Sequence, residues 1–312
     1  MRDGGLTAYL EELLERVRGE DSGEPHELPV LAEADPERMA VAVVDVDGTV
    51  WAAGDAEHRV PIQSMSKAVV YGVAIDSSGM DEVLRHIDVE PSGDAFNRIS
   101  LDDGSNRPAN PMINAGALTA HSLVAGRDAA HRLERIREVL SAMAGRELEI
   151  DEECYRQEIA DAHRNLGIAH LVKALSELPD EPHDVVDGYT RQCALSVSVV
   201  ELARIAATLA NDGVLPGTED RVLSARATRH VLSVMLTCGM YDSAGDWVSS
   251  VGIPAKSGIS GGILGAVPGR GGIATYSPRL DGHGNSSRGI LAFEHMSRDL
   301  DLHALRPRHR DR

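Results

Sequence analysis

At 312 residues the chain is long enough for one large or two interlocked domains around a buried core. Its 42% apolar and 26% charged residues exclude disorder as the main state. A formal net charge of −18 repels phosphate backbones and 3% aromatic content supplies no stacking platform, which excludes nucleic acid as a partner. No run of about eighteen apolar residues occurs, so no membrane span is expected, and Met1-Arg2-Asp3-Gly4-Gly5 lacks the build of a secretory signal. The expected location is the cytoplasm. Cys154, Cys193 and Cys238 are odd in number and far apart, and the histidines form no His-Glu-x-x-His arrangement. Neither a disulfide framework nor a metal site is indicated, and no cofactor is expected.

In chain order, Leu6, Tyr9, Leu10, Leu13, Leu14 and Val17 fall at helical spacing and predict an amphipathic helix over 6–18. Residues 39–44 and 49–52 read as strands joined by Asp45-Val46-Asp47-Gly48, whose Asp-Gly suits a hairpin. The apolar run from Ser64 to Ile75 predicts a buried helix with Ser64 in its first turn. From Met112 to Asn211 the pattern is helical, with periodic stretches at 113–125, 128–144, 151–177 and 196–211, followed by a helix at 223–236. Short strands are expected at 248–256, 260–267 and 272–277, then a last helix over 286–301 and a fraying basic end from His303 to Arg312. This order implies one sheet assembled from both ends of the chain. The expected division is a discontinuous sheet domain, 1–71 and 221–312, with an inserted helical domain at 72–220.

Of 31 basic residues only Lys67, Lys173 and Lys256 are lysine. Arginine stays charged, whereas a lysine can lose its proton when buried, so retained lysines point to proton transfer. Ser64-Met65-Ser66-Lys67 is a Ser-x-x-Lys element; on a helix such a pair shares a face, within reach for an amine to take the serine's proton. Burial and the positive helix end would both lower the Lys67 pKa. By itself the motif is common. It gains weight from Lys256-Ser257-Gly258 on an expected strand, because penicillin-recognising serine hydrolases pair Ser-x-x-Lys with a strand-borne Lys-Thr/Ser-Gly. Two structural lysines placed by coincidence is the plain alternative.

Asp45-Val46-Asp47-Gly48-Thr49 also resembles the nucleophile motif of haloacid-dehalogenase-like phosphatases. The acidic pair that such enzymes need after a later lysine is missing beyond Lys256, so a hairpin turn is the better account. The glycine-rich stretch 258–272 lacks Gly-Lys-Ser/Thr and reads as turns between strands rather than a phosphate cradle.

Taken together, several blocks resemble the serine-dependent glutaminase family over residues 27–297. They are 61–67 around Ser64, Glu90-Pro91-Ser92-Gly93-Asp94, 110–117 around Asn114, Thr237-Cys238-Gly239-Met240-Tyr241-Asp242, 254–258 around Lys256, and Gly284-Asn285-Ser286. The resemblance implies an α+β, β-lactamase/penicillin-binding-protein-like fold: an antiparallel sheet flanked by helices with an inserted all-helical domain. It implies hydrolysis of L-glutamine to L-glutamate and ammonia without metal or organic cofactor, by a homodimer or homotetramer. By the same resemblance Ser64 is the nucleophile, Lys67 its general base and Tyr241 an aid to proton transfer. The N–H groups of Ser64 and Ile259 form an oxyanion hole. Glu158 receives the substrate ammonium and Asn114, Asn165 and Tyr189 its carboxylate, with Lys256 and Gly258 in support.

One position departs from the family pattern. Glu27-Leu28-Pro29 stands where the family has Tyr-Ile-Pro, its tyrosine lining the substrate pocket, so Glu27 is expected to weaken glutamine binding. Two other readings accompany the leading one: a penicillin-recognising-type hydrolase or esterase using the same Ser64 and Lys67, and a catalytically weak amino-acid-binding protein.

Overall fold

The computed structural model describes residues 3–92, 101, 104–176 and 178–306; Gly93, Asp94 and the basic end past 306 lie outside the described residues. The amphipathic stretch folds as α1 (Asp3–Val17), burying Leu10, Leu13, Leu14 and Val17. A single helical turn, α2 (Pro29–Ala32), follows in the polar stretch. Strands β1 (Ala40–Asp45) and β2 (Val50–Gly54) form the expected hairpin. At its turn Asp45 Oδ1 accepts the Thr49 N–H at 2.8 Å. The Asp-x-Asp-Gly-Thr run therefore closes a hairpin.

Next come β3 (Val60–Pro61), a 3-10 turn at Gln63–Met65 and α3 (Ser66–Ser78), buried from Ser66 to Ile75. Ser64 thus sits in the 3-10 turn ahead of the helix, not in the helix's first turn as expected; Lys67 takes that place. The helical block comprises α4 (Met80–His86), α5 (Asn114–Ser122), α6 (Ala129–Ala144), α7 (Glu152–Ala160), α8 (His163–Ser176) and α9 (Pro182–Cys193). The single helix expected over 151–177 is two, because the end of α7 tightens into i→i−3 hydrogen bonds at Asp161 and Ala162. Strand β4 (Ser196–Val197) pairs with β3 and precedes α10 (Val199–Ala210), whose start is fixed by a Ser198/Glu201 capping box.

After α11 (Ala225–Cys238), residues 244–250 form α12 (Ala244–Ser250), so only β5 (Ala255–Ser257) remains of the strand expected over 248–256. Burial of Trp247 overrides the local strand preference: its ring packs 5.2 Å from Phe293 and its Nε1 donates to the Ile253 carbonyl at 2.7 Å. Strands β6 (Gly262–Val267) and β7 (Gly271–Tyr276) and helix α13 (Ser287–Asp299) complete the described chain. Among the described residues no helix is long and apolar enough to cross a membrane.

The sheet is antiparallel, in the order β2-β1-β7-β6-β5, so both ends of the chain build it. Period-two alternation splits its side chains between two cores. Ala40, Ala42, Val44, Leu264, Ala266 and Ala274 face α3, α10 and α11, while Val41, Ile263, Val267 and Ile273 join α1 and α13 on the other side. A third apolar cluster binds α5, α8 and α9. Helix α10 approaches β7 closely enough that a Cβ on Gly272 would lie 2.2 Å from Ala203 O and from Ala207 N. Since both neighbours are backbone, Gly272→Ala is expected to cost about 1–3 kcal/mol or more. A urea midpoint equal to wild type would contradict this contact.

Candidate active site

The 3-10 turn at Gln63–Met65 and a second at Tyr241–Ser243 each hold one residue in left-handed backbone. Gln63 has φ +51° and Tyr241 φ +55°, left-handed values for residues that bear a Cβ, costing about 1–3 kcal/mol each. These turns bring together Ser64 and Tyr241, whose hydroxyls share a hydrogen bond; the Tyr241 hydroxyl also donates to the Ser257 carbonyl at 3.4 Å. Burial pushes the Tyr241 phenol up to about 12, opposed by its hydrogen bonds with Ser64 and Ser257.

Lys67 is 1% exposed, and its Nζ donates to Asn114 Oδ1 at 2.7 Å and to the Met112 carbonyl at 3.2 Å. Both acceptors are neutral. Burial therefore lowers its pKa to about 8, against a small upward pull from Cys193. Lys256 points to the same sheet face as Leu264, its cross-strand partner. Its Nζ donates to the Gly239 and Ser257 carbonyls, both at 2.9 Å, and lies 4.0 Å from the Tyr241 ring centroid. Burial first, and repulsion by Lys67 second, lower the Lys256 pKa well below the ordinary lysine value. Two of the three lysines are thus buried amines close enough to repel one another.

Asn114 opens α5. The approach to it is fixed by Asn110, whose Oδ1 accepts the Met112 N–H at 3.0 Å and whose Nδ2 donates to the Glu90 carbonyl at 2.9 Å. Gly116 is required there, because a Cβ would fall 2.0 Å from the Asn110 carbonyl oxygen. With Oδ1 engaged by Lys67, Asn114 uses its Nδ2 to donate to Asn165 Oδ1 at 3.0 Å. A chain of donors therefore runs from Lys67 through Asn114 to Asn165 on α8.

Glu158, on α7, accepts from Gln63 Nε2 and from the Cys154 thiol at 3.3 Å. Burial raises its pKa, and these two donors oppose the shift. Tyr189, on α9, is 4% exposed and hydrogen-bonds Cys193; burial holds its phenol well above the ordinary value. Ile259 occupies the tight turn between β5 and β6, closed by Gly258 N–H to the Gly262 carbonyl at 2.9 Å. Among the described residues the Ile259 N–H has no hydrogen-bond partner. A cavity of about 360 Å³ borders the site, lined in part by Asn110, Met112, Ile113, Tyr241 and Asp242.

Direct contacts therefore join Ser64, Tyr241, Ser257 and Lys256, and also Lys67, Asn114 and Asn165. Gln63 links Glu158 to the residue before Ser64, and Gly258 and Ile259 follow Ser257 in the chain. Glu27 stands apart: it is exposed, just ahead of α2, which is held on α7 by the Val30 N–H donating to Gln157 Oε1 at 2.8 Å. Sequence reasoning assigned no role to Gln63, Cys154 or Cys193. Gln63 lay inside the Ser64 block, and Cys154 is four residues before Glu158 on one helix face, the signal that could have found it. Among the described residues no group of three or more His, Cys, Asp or Glu is placed to hold a metal ion.

A family model described as Glutaminase matches residues 23–305. The chain is 48% identical over 303 residues to a glutaminase of Corynebacterium glutamicum, covering 96% of this chain and 73% of that protein. It is 44% identical over 276 residues to a glutaminase of Nostoc sp., covering 88% and 83%. Among solved structures, Mglu in its glutamate form superposes with a TM-score of 0.94 at 44% identity, over 99% of this chain and 72% of that one. A probable glutaminase of Bacillus subtilis superposes at 0.89 with 34% identity, over 96% and 97%. These likenesses span the sheet and the helical block alike, which fixes the β-lactamase-like α+β fold and leaves the penicillin-recognising reading without support. The chain belongs to the glutaminase family and is an amidohydrolase.

Proposed function

We propose that the chain hydrolyses the γ-amide of L-glutamine to L-glutamate and ammonia through a γ-glutamyl ester on Ser64, with Lys67 as general base and no cofactor. The observation that carries this reading is the surroundings of Lys67. The Met112 carbonyl and Asn114 Oδ1 accept from a buried amine, and in its neutral form an amine carries a lone pair that can take the Ser64 proton. Ser64 Oγ then attacks the γ-carbonyl carbon, and the oxyanion forms between the N–H groups of Ser64 and Ile259. As the tetrahedral intermediate collapses, the proton that Lys67 took from Ser64 passes through Tyr241 to the amide nitrogen, which leaves as ammonia, and water then cleaves the ester with the same base.

At the far end of the substrate, Glu158 takes the α-ammonium. Its protein donors are the neutral groups of Gln63 and Cys154, so a bound cation supplies the charge that a half-buried carboxylate otherwise lacks. Asn165, whose Nδ2 is not used by Asn114, receives the α-carboxylate with Tyr189 and the remaining N–H of Asn114. Lys256 and Gly258 support Tyr241 and the 258–262 turn. A cytoplasmic location agrees with three free, buried cysteines, and assembly as a homodimer or homotetramer follows the family resemblance.

Ammonia release from glutamine tests the assignment. Ser64→Ala is expected to abolish turnover with the fold retained, and Lys67→Arg to lower kcat at least about a hundredfold, since a guanidinium cannot act as base. Wild-type rates in either variant would contradict the assigned role. Because only neutral Lys67 can act, kcat/KM should fall about tenfold per pH unit as pH drops below about 8 and level off above it; a flat profile from pH 6 to 9 would contradict this. For Glu27, Glu27→Tyr is expected to lower the KM for glutamine severalfold. Unchanged KM and kcat/KM would remove Glu27 from the site.

A further inference from the structure

A second polar chain runs beneath the nucleophile turn, built from side chains with no substrate role in the reading above. The Gln63 carbonyl accepts the Ser66 hydroxyl at 2.8 Å. Ser66 Oγ accepts in turn from Gln192 Nε2 at 2.9 Å, and Gln192 Oε1 lies 2.9 Å from His121 Nδ1. The three side chains belong to α3, α9 and α5, and each is fully buried.

The direction of every hydrogen bond is determined. A carbonyl can only accept, so the Ser66 proton points to Gln63; Gln192 then turns its amide nitrogen to Ser66 and its oxygen to His121, whose Nδ1 must carry the proton. Burial keeps that imidazole neutral, with its pKa lowered to about 4. Its Nε2 is consequently a bare acceptor, buried without a partner and packed so closely on Gly188 that a Cβ there would come within 2.4 Å.

The Gln63 carbonyl and the Ser64 N–H are opposite ends of one planar peptide unit, so fixing the oxygen fixes the direction of the hydrogen. Gln63 is also the residue held at φ +51°, a conformation that persists only where its surroundings over-determine it. Donation to the carbonyl further polarises the amide and strengthens its N–H as a donor. We propose that Ser66, Gln192 and His121 are positioning residues for the oxyanion hole, acting through the 63–64 peptide to aim the Ser64 N–H. This rests on the reading of Ser64 given above.

Ser66→Ala, Gln192→Met and the double variant test it in the full chain, beside Ser64→Ala. Steady-state kinetics give kcat and KM for glutamine, and calorimetry with L-glutamate gives Kd and counts folded sites. Each single variant is expected to lower kcat about tenfold per folded site, less than the hundredfold or more for outright removal of an oxyanion donor, with KM and Kd within about twofold. The double variant should be no slower than Ser66→Ala alone, because the first cut already severs the chain. If Ser66→Ala folds poorly, Gln192→Met carries the same comparison. Wild-type kcat per folded site in either single variant, multiplying losses in the double, or a loss matched in Kd would overturn the proposal while Ser64→Ala remains inactive. Turnover by Ser64→Ala would instead overturn the nucleophile reading on which it rests.

Discussion

Burying an ammonium group is costly, and a protein that does so keeps the amine largely able to shed its proton near neutral pH. Lys67 is fully buried, and its Nζ donates to one main-chain carbonyl and one side-chain amide. Much else in the structure serves this placement. The apolar α3 supplies the dry surroundings, and the Asn110–Gly116 turn delivers both acceptors.

The sheet contributes by bringing distant parts of the chain to one face. Strand β5 places Lys256 below Tyr241 and leads into the turn that carries Ile259, while α7, α8 and α9 present Glu158, Asn165 and Tyr189 from the helical block. Gln63 and Tyr241, in the two turns that meet at Ser64, both hold left-handed backbone. Such conformations survive because buried hydrogen bonds hold them on several sides, and an enzyme gains from a nucleophile that does not reorient during the reaction.

Legibility in the sequence followed the range of each interaction. The β1–β2 hairpin, the buried α3 and the contribution of both chain ends to one sheet are written in local periodicity and turn chemistry, and they stand as read. Trp247 shows the limit. Its helix sits in a stretch with strand-like composition, and only the distant Phe293 and the Ile253 carbonyl make the helix the better solution. Scarcity of lysine singled out Lys67 and Lys256, because residue type alone carries that signal. The left-handed conformation of Gln63 and the chain from His121 to Ser66 have no local signature, since each depends on helices far apart in sequence.

That same scarcity permits a direct test. With three lysines in the chain, lysine-selective 15N labelling yields three side-chain amine signals, and a Lys67→Met sample identifies the one of interest. An NMR pH titration of the free protein should show Lys67 Nζ losing its proton near pH 8. A Lys67 midpoint at the ordinary lysine value near 10.5 would contradict a neutral amine as the base and the account built upon it.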